Sequence, residues 1–218
     1  MNGFFNELKV QRWDDHRYYH HSKVNQALHF LSATSFLVAY VVAFSDPAMA
    51  ALIGWLVAMT SRQIGHLFFE PRGYDRINQA TDEYKEEIKV GYNIKRKLVL
   101  LALWAASPLL LVADPTLLGI FTPHDGPAEF ITHVGQIWLM VGLGGIAFRV
   151  VQLFILKDVR TGLVWATKIA TDPFHDIKLY HRAPLELLRR QRIEEVLDDV
   201  LGDEIAEPVA VEASKSGV

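Results

Sequence analysis

The sequence predicts an all-α, polytopic membrane protein with about four transmembrane helices, plus further helices at the interface and on the cytoplasmic side. Three observations lead there. Half of the 218 residues are hydrophobic, yet the mean hydropathy is only +0.14, so the apolar residues are gathered in blocks rather than spread round one soluble core. The blocks 24–44, 48–69, 98–113 and 130–156 approach or exceed the ~20 residues that cross about 30 Å of hydrocarbon. No Lys or Arg lies between Val24 and Ser61 or between Leu98 and Phe148, whereas the segments before, between and after the block pairs are rich in them. By the positive-inside rule, both termini and the middle loop then face the cytoplasm.

The division expected is a membrane domain over 1–156, a cytoplasmic helical segment over 157–202 and a disordered tail over 203–218. The chain has no cysteine, which excludes disulfides, thiolate ligands and cysteine-held clusters and leaves His, carboxylate, Asn or water to hold any metal. A net charge of −3 gives no electrostatic reason to expect a nucleic-acid partner. Residues 1–12 lack the basic start and apolar core of a signal peptide, so the first span is expected to act as its own address.

Residues 1–23 read as an amphipathic interfacial helix, apolar at Phe4, Phe5, Leu8 and Val10, with Trp13, Tyr18 and Tyr19 suited to the headgroup layer. Histidines follow at once. His16 and His20 are four apart, and His21, Asn25 and His29 form a second stripe of the same spacing. On one straight helix His20 and His29 would be ~13 Å apart, too far to share an ion through bonds near 2 Å. Either the helix breaks near Ser22, or two ions are bound, or one of these histidines stands behind the ligands.

Asp46-Pro47 reverses the chain between the first two blocks. Antiparallel packing of the two sets His29 level with His66 and Asn25 level with Glu70. His66 and Glu70 share a face, Gly65 allows close helix approach, and Pro71 and Gly73 end the span. Ionisable groups gathered beside a bilayer are costly and point to function. The convergence of His20, His21, His29, His66 and Glu70 on one cytoplasmic end is therefore read as a metal site, with Glu70 and Asn25 as ligands or as residues that support the ligands.

The charged stretch 71–97 reads as a solvated surface helix, without chemistry for Glu83, Glu86 or Glu87. Pro108 is expected to kink the third span, and Arg149 to snorkel from the fourth. Gly142, Gly144 and Gly145 suit close packing, and His124 and His133 lie toward the outer side, away from the site. Beyond 157, Asp172-Pro173 is expected to break a helix and 184–201 repeats with a helical period. His175, Asp176 and His181 share the site's side of the membrane, so this segment can fold back to add ligands or supporting groups.

The arrangement Tyr19-His20-His21, Asn25 and His29, then a hairpin, then Gly65-His66 and Glu70, resembles the membrane-embedded 2-hydroxy fatty acid dioxygenases of the yeast type, the iron(II) enzymes of fatty acid alpha-oxidation. The resemblance covers about 18–71. Family members usually carry Pro-Ala-Leu close after the glutamate, where this chain has Pro71-Arg72-Gly73-Tyr74. The resemblance implies one or two Fe2+ ions, dioxygen as co-substrate, and a lipid-borne 2-hydroxy fatty acyl substrate shortened by one carbon. His20, His21, His29 and His66 are the leading ligands, with His16, His175 and His181 as further candidates. Arg62, Arg72 or Lys23 would meet the substrate carboxylate. Other readings are a di-iron lipid hydroxylase or desaturase, suggested by the HRYYHH cluster; a haem- or quinone-binding electron carrier using His29 opposite His66; and a structural membrane protein.

Overall fold

The computed structural model describes residues 3–70, 73–75, 78–88 and 94–189. Among them there is no strand, only an isolated bridge between Asp75 and Ala80. The helices are α1 (Phe4–Tyr19), α2 (Lys23–Val42), α3 (Pro47–Ile53), α4 (Thr60–Phe68), α5 (Asp82–Ile88), α6 (Ile94–Ala106), α7 (Pro108–Ala113), α8 (Pro127–Leu156), α9 (Val159–Tyr180) and α10 (Ala183–Leu188). A π-helical segment, Gly54–Met59, joins α3 to α4. Arg72, most of the expected 184–201 helix and the 203–218 tail lie outside the described residues.

The reversal between α2 and α3 is built by Asp46, whose carboxylate accepts from the Met49 N–H at 2.9 Å, with Pro47 fixing the first helical φ. Against this hairpin lies α8, so close that a Cβ on Gly135 would sit 2.5 Å from the Ala48 carbonyl oxygen. Only glycine permits that approach. Beside it Trp55, Trp104 and Trp138 stack in series, each adjacent pair 4.9 Å between centroids, and Trp55 Nε1 donates to the Trp138 carbonyl at 2.9 Å. Gly142 faces Trp55, but Gly144 and Gly145 have open space and do not serve packing.

Of the described helices, α8 is long and apolar enough to cross a membrane by length and composition. The third apolar block is interrupted at Ser107-Pro108, as the proline suggests, and forms a shorter apolar helical run.

Two expectations for the polar ends are corrected. Tyr18 and Tyr19, expected at a headgroup layer, are 4% and 3% exposed and pack on Ala80 and Ile88. Asp172-Pro173 does not break its helix, for α9 runs through Pro173. A proline removes one N–H from the helical ladder, here the one that would reach the Ile169 carbonyl, and one residue on the Tyr40 hydroxyl donates to the Ala170 carbonyl at 3.2 Å.

Helix α9 positions the site. It runs antiparallel along α2, as the pairings Tyr40 with Ala170 and His29 with Asp176 show. It also runs parallel to α1, tied by Glu7 to Arg160 at 3.1 Å, Arg12 to Asp172 at 3.3 Å, and Asp15 to Lys168.

Candidate metal centre

The site begins where α1 stops. Tyr19 is the last helical residue, and His20 (φ −122°, ψ 38°) leaves the helical region. The final carbonyls of a helix have no N–H partner within it, and two side-chain amides from the start of α2 supply them. Asn25 Nδ2 donates to the Tyr19 carbonyl at 2.6 Å, and Gln26 Nε2 donates to the His20 carbonyl at 2.8 Å. The chain thus turns between α1 and α2, and the His20 ring folds onto His29 with centroids 3.9 Å apart. Of the ways to reconcile the His20–His29 spacing, the molecule uses the break.

The third ring arrives on α4. Gly65 meets α2 so closely that a Cβ there would lie 2.2 Å from Asn25 Oδ1. This contact brings His66 within 4.9 Å of His29 and 5.4 Å of His20, centroid to centroid. His29 is level with His66 as the hairpin predicts. Asn25 lies against Gly65 and acts on the backbone break.

His20, His29 and His66 each offer one ligand atom, and these atoms lie within 4.8 Å of one another. His20 and His29 are buried and His66 is half-buried. Nitrogens on one metal at ~2 Å stand about 3–3.5 Å apart, so modest ring rotations would close the set. Buried imidazole nitrogens need a hydrogen bond or a cation, and this donor set fits a metal ion.

Around the triad, His20 Nδ1 is 2.9 Å from the Tyr180 hydroxyl. His29 Nδ1 is 3.7 Å from Asp176 Oδ2, and His66 Nδ1 is 3.4 Å from Glu70 Oε2. Burial raises the Asp176 carboxyl above its ordinary pKa, opposed by Arg62, Lys168 and His175. Arg62 approaches the same Asp176 oxygen at 3.3 Å. Beside them a small charged cleft is lined by Arg12, Asp15, Lys168 and Asp172 together with His20 and Tyr180. Burial disfavours the Lys168 ammonium, but Asp15 and Asp172 outweigh it and hold its pKa above the ordinary value. His175 lines the cleft, its pKa lowered by burial and by Arg12.

Several expected ligands are placed elsewhere. His21 turns away, 3.6 Å from Asp75 and 3.2 Å from Asn78 Nδ2, because the break at His20 sends adjacent side chains in different directions. His16 Nδ1 meets the Tyr180 hydroxyl at 3.0 Å and not the triad. His181 is exposed at the end of α9, its Nδ1 on the Lys178 carbonyl at 3.0 Å. Arg62 is taken up by Asp176, and Lys23 pairs with Glu186 at 2.9 Å. Sequence reasoning missed Gln26 and Tyr180. A second amide beside Asn25 at a helix start was the available sign of Gln26; Tyr180, 160 positions from His20, had none. Comparison with known protein families, with curated proteins and with solved structures finds no match to this chain.

Proposed function

We propose that the chain is a non-haem iron oxygenase acting on a fatty acyl substrate at the cytoplasmic face of a membrane, its reaction being the alpha-oxidation of a 2-hydroxy fatty acid. The observation that carries this is the convergence of His20, His29 and His66 from two sides of a helix break and a facing helix. Iron(II) held by these imidazoles would supply activation of dioxygen beside a substrate chelating through its carboxylate and 2-hydroxyl.

The overall change balances without an outside reductant. A 2-hydroxy acid and one dioxygen give the acid one carbon shorter, carbon dioxide and water, the hydroxyl-bearing carbon becoming the new carboxyl. The chain's own residues would hold the metal, with the charged cleft beside His20 next to it. In this reading α2, the α3–α4 run and the α6–α7 run accompany α8 across the bilayer, both termini are cytoplasmic, and the acyl tail stays in lipid. Exposed Val38, Val41, Leu109, Val112, Leu143 and Val151 on these helices support it.

The alternatives fit less well. Axial imidazoles on a haem lie on opposite faces with nitrogens about 4 Å apart, and ring centroids 3.9–5.4 Å apart leave no room for a porphyrin between them. Among the described residues there is one such cluster, which favours one ion over a di-iron pair.

The test is elemental analysis of detergent-purified protein and of His66→Ala, followed by oxygen uptake with a 2-hydroxy fatty acid and no added reductant. Near one iron per chain, lost in the variant, with substrate-dependent uptake is the expected result. No metal in the parent after anaerobic reconstitution with iron(II) overturns the proposal.

A further inference from the structure

All three rings of the triad turn the same nitrogen toward an oxygen. His20 Nδ1 meets the Tyr180 hydroxyl at 2.9 Å, His29 Nδ1 faces Asp176 at 3.7 Å, and His66 Nδ1 faces Glu70 at 3.4 Å. Metal-ligating histidines characteristically give the proton of their other nitrogen to such an acceptor, which fixes tautomer and ring orientation. Glu70 comes from the chain just past α4, but Tyr180 and Asp176 both come from α9, one turn apart on its buried face.

Resting on the metal-centre reading, we infer that α9 is the orienting element of the site. Tyr180, hydrogen-bonded to His20 at 2.9 Å, is a positioning residue that holds that ring with Nε2 toward the ion, and Asp176, at ion-pair distance from His29, is the acceptor on which Nδ1 of that ring would close when the ion binds. Neither touches the ion, and each acts through a ring it faces.

Proton counting is consistent with this. The Tyr180 hydroxyl lies within hydrogen-bond distance of Nδ1 of both His16 and His20. It can donate to one ring and accept from the other, or accept from both. A neutral His20 that binds metal through Nε2 carries its proton on Nδ1 and donates to Tyr180, and His16 shares that hydroxyl without being a ligand. Asp176 is held in turn by Arg62 at 3.3 Å, which gives a buried carboxylate beside an imidazole a compensating charge.

The experiment uses Co(II) as probe on the full chain in detergent, with affinity measured by chelator competition and the visible d–d bands recorded for the parent, Tyr180→Phe, Asp176→Ala and His181→Ala. The expected result is a ~10–100-fold weaker Kd for the first two variants, with displaced bands, while His181→Ala matches the parent. Tyr180→Phe removes one oxygen atom and keeps the ring, so it carries the test if Asp176→Ala does not fold. A variant that folds and matches the parent in both affinity and spectrum removes its residue from the proposal, and a match by every folded one of the two overturns it. A parent that binds no Co(II) overturns the metal reading itself, and this inference falls with it.

Discussion

At one end of the α2–α4 hairpin three histidine rings meet, and at the other His124 and His133 stand 6.1 Å apart between centroids. What differs is the company of the rings. His133 stacks on Phe121, 4.6 Å away and 14° from parallel, and His124 sits edge-on to Phe130 at 5.2 Å. At the first end every ring has an oxygen facing Nδ1. Histidine number thus says little about metal binding; the groups that address the second nitrogen say more.

The largest way to break this comparison is to delete a ring at each end. His29→Ala should lower bound iron, read by elemental analysis, to less than about a tenth of the parent's, while His133→Ala leaves it unchanged. Iron loss in both would erase the distinction between the ends.

Close helix contacts give the next effect, since both ends depend on a glycine. Gly65→Ala and Gly135→Ala should each cost about 1–3 kcal/mol through overpacking, measured by thermal unfolding. Only the former should also weaken iron binding, since its Cβ would strike the Asn25 amide. Asn25→Ala strands the buried Tyr19 carbonyl at about 1–3 kcal/mol. Combined with Gly65→Ala it should cost less than the two singles together, by 0.5 kcal/mol or more as is typical of contacting pairs. Additive costs would mean that the two residues do not press on each other.

Gln26→Leu removes one neutral hydrogen bond, to the His20 carbonyl. A loss of ~1 kcal/mol is expected, with a weaker iron site and an unchanged outer end.

The smallest effect is one of pH. With its folded pKa raised by Asp15 and Asp172, Lys168 contributes stability that is fully present below the ordinary lysine value of about 10.4 and lost as pH rises through the folded value. Melting temperatures should carry no Lys168-dependent fall between pH 7 and 9 and should decline at higher pH. A fall already at pH 8, absent in Lys168→Met, would mean that burial wins over the two carboxylates.

Much of the site's frame was legible because helices obey fixed spacings. The hairpin and the facing of His29 and His66 follow from two apolar blocks and a reversal at Asp46-Pro47. The 13 Å conflict between His20 and His29 already required a break as one of its resolutions. What stayed hidden depends on non-local contacts. His21 goes to the Asp75–Asn78 turn, a choice set by the short stretch after α4 and not by its own spacing. Pro173 reads as a breaker, yet α9 passes through it because tertiary packing outweighs a local preference. Arg62 looked available for a substrate from its depth alone, and its pairing with Asp176 could not be read across so long a separation.

The break after Tyr19 also bears on the order in which the chain is made. All three histidines of the triad are in the chain once residue 66 is built, whereas Tyr180 and Asp176 come roughly 100 residues later, a delay of about 5–20 s at ordinary synthesis rates. During that interval the nascent hairpin can gather the rings but has only Glu70 to steer one of them. Long-range pairings of this kind form late and slowly. In the metal-centre reading, docking of α9 would then be the closing event of maturation, and firm metal capture would fall at the end of synthesis.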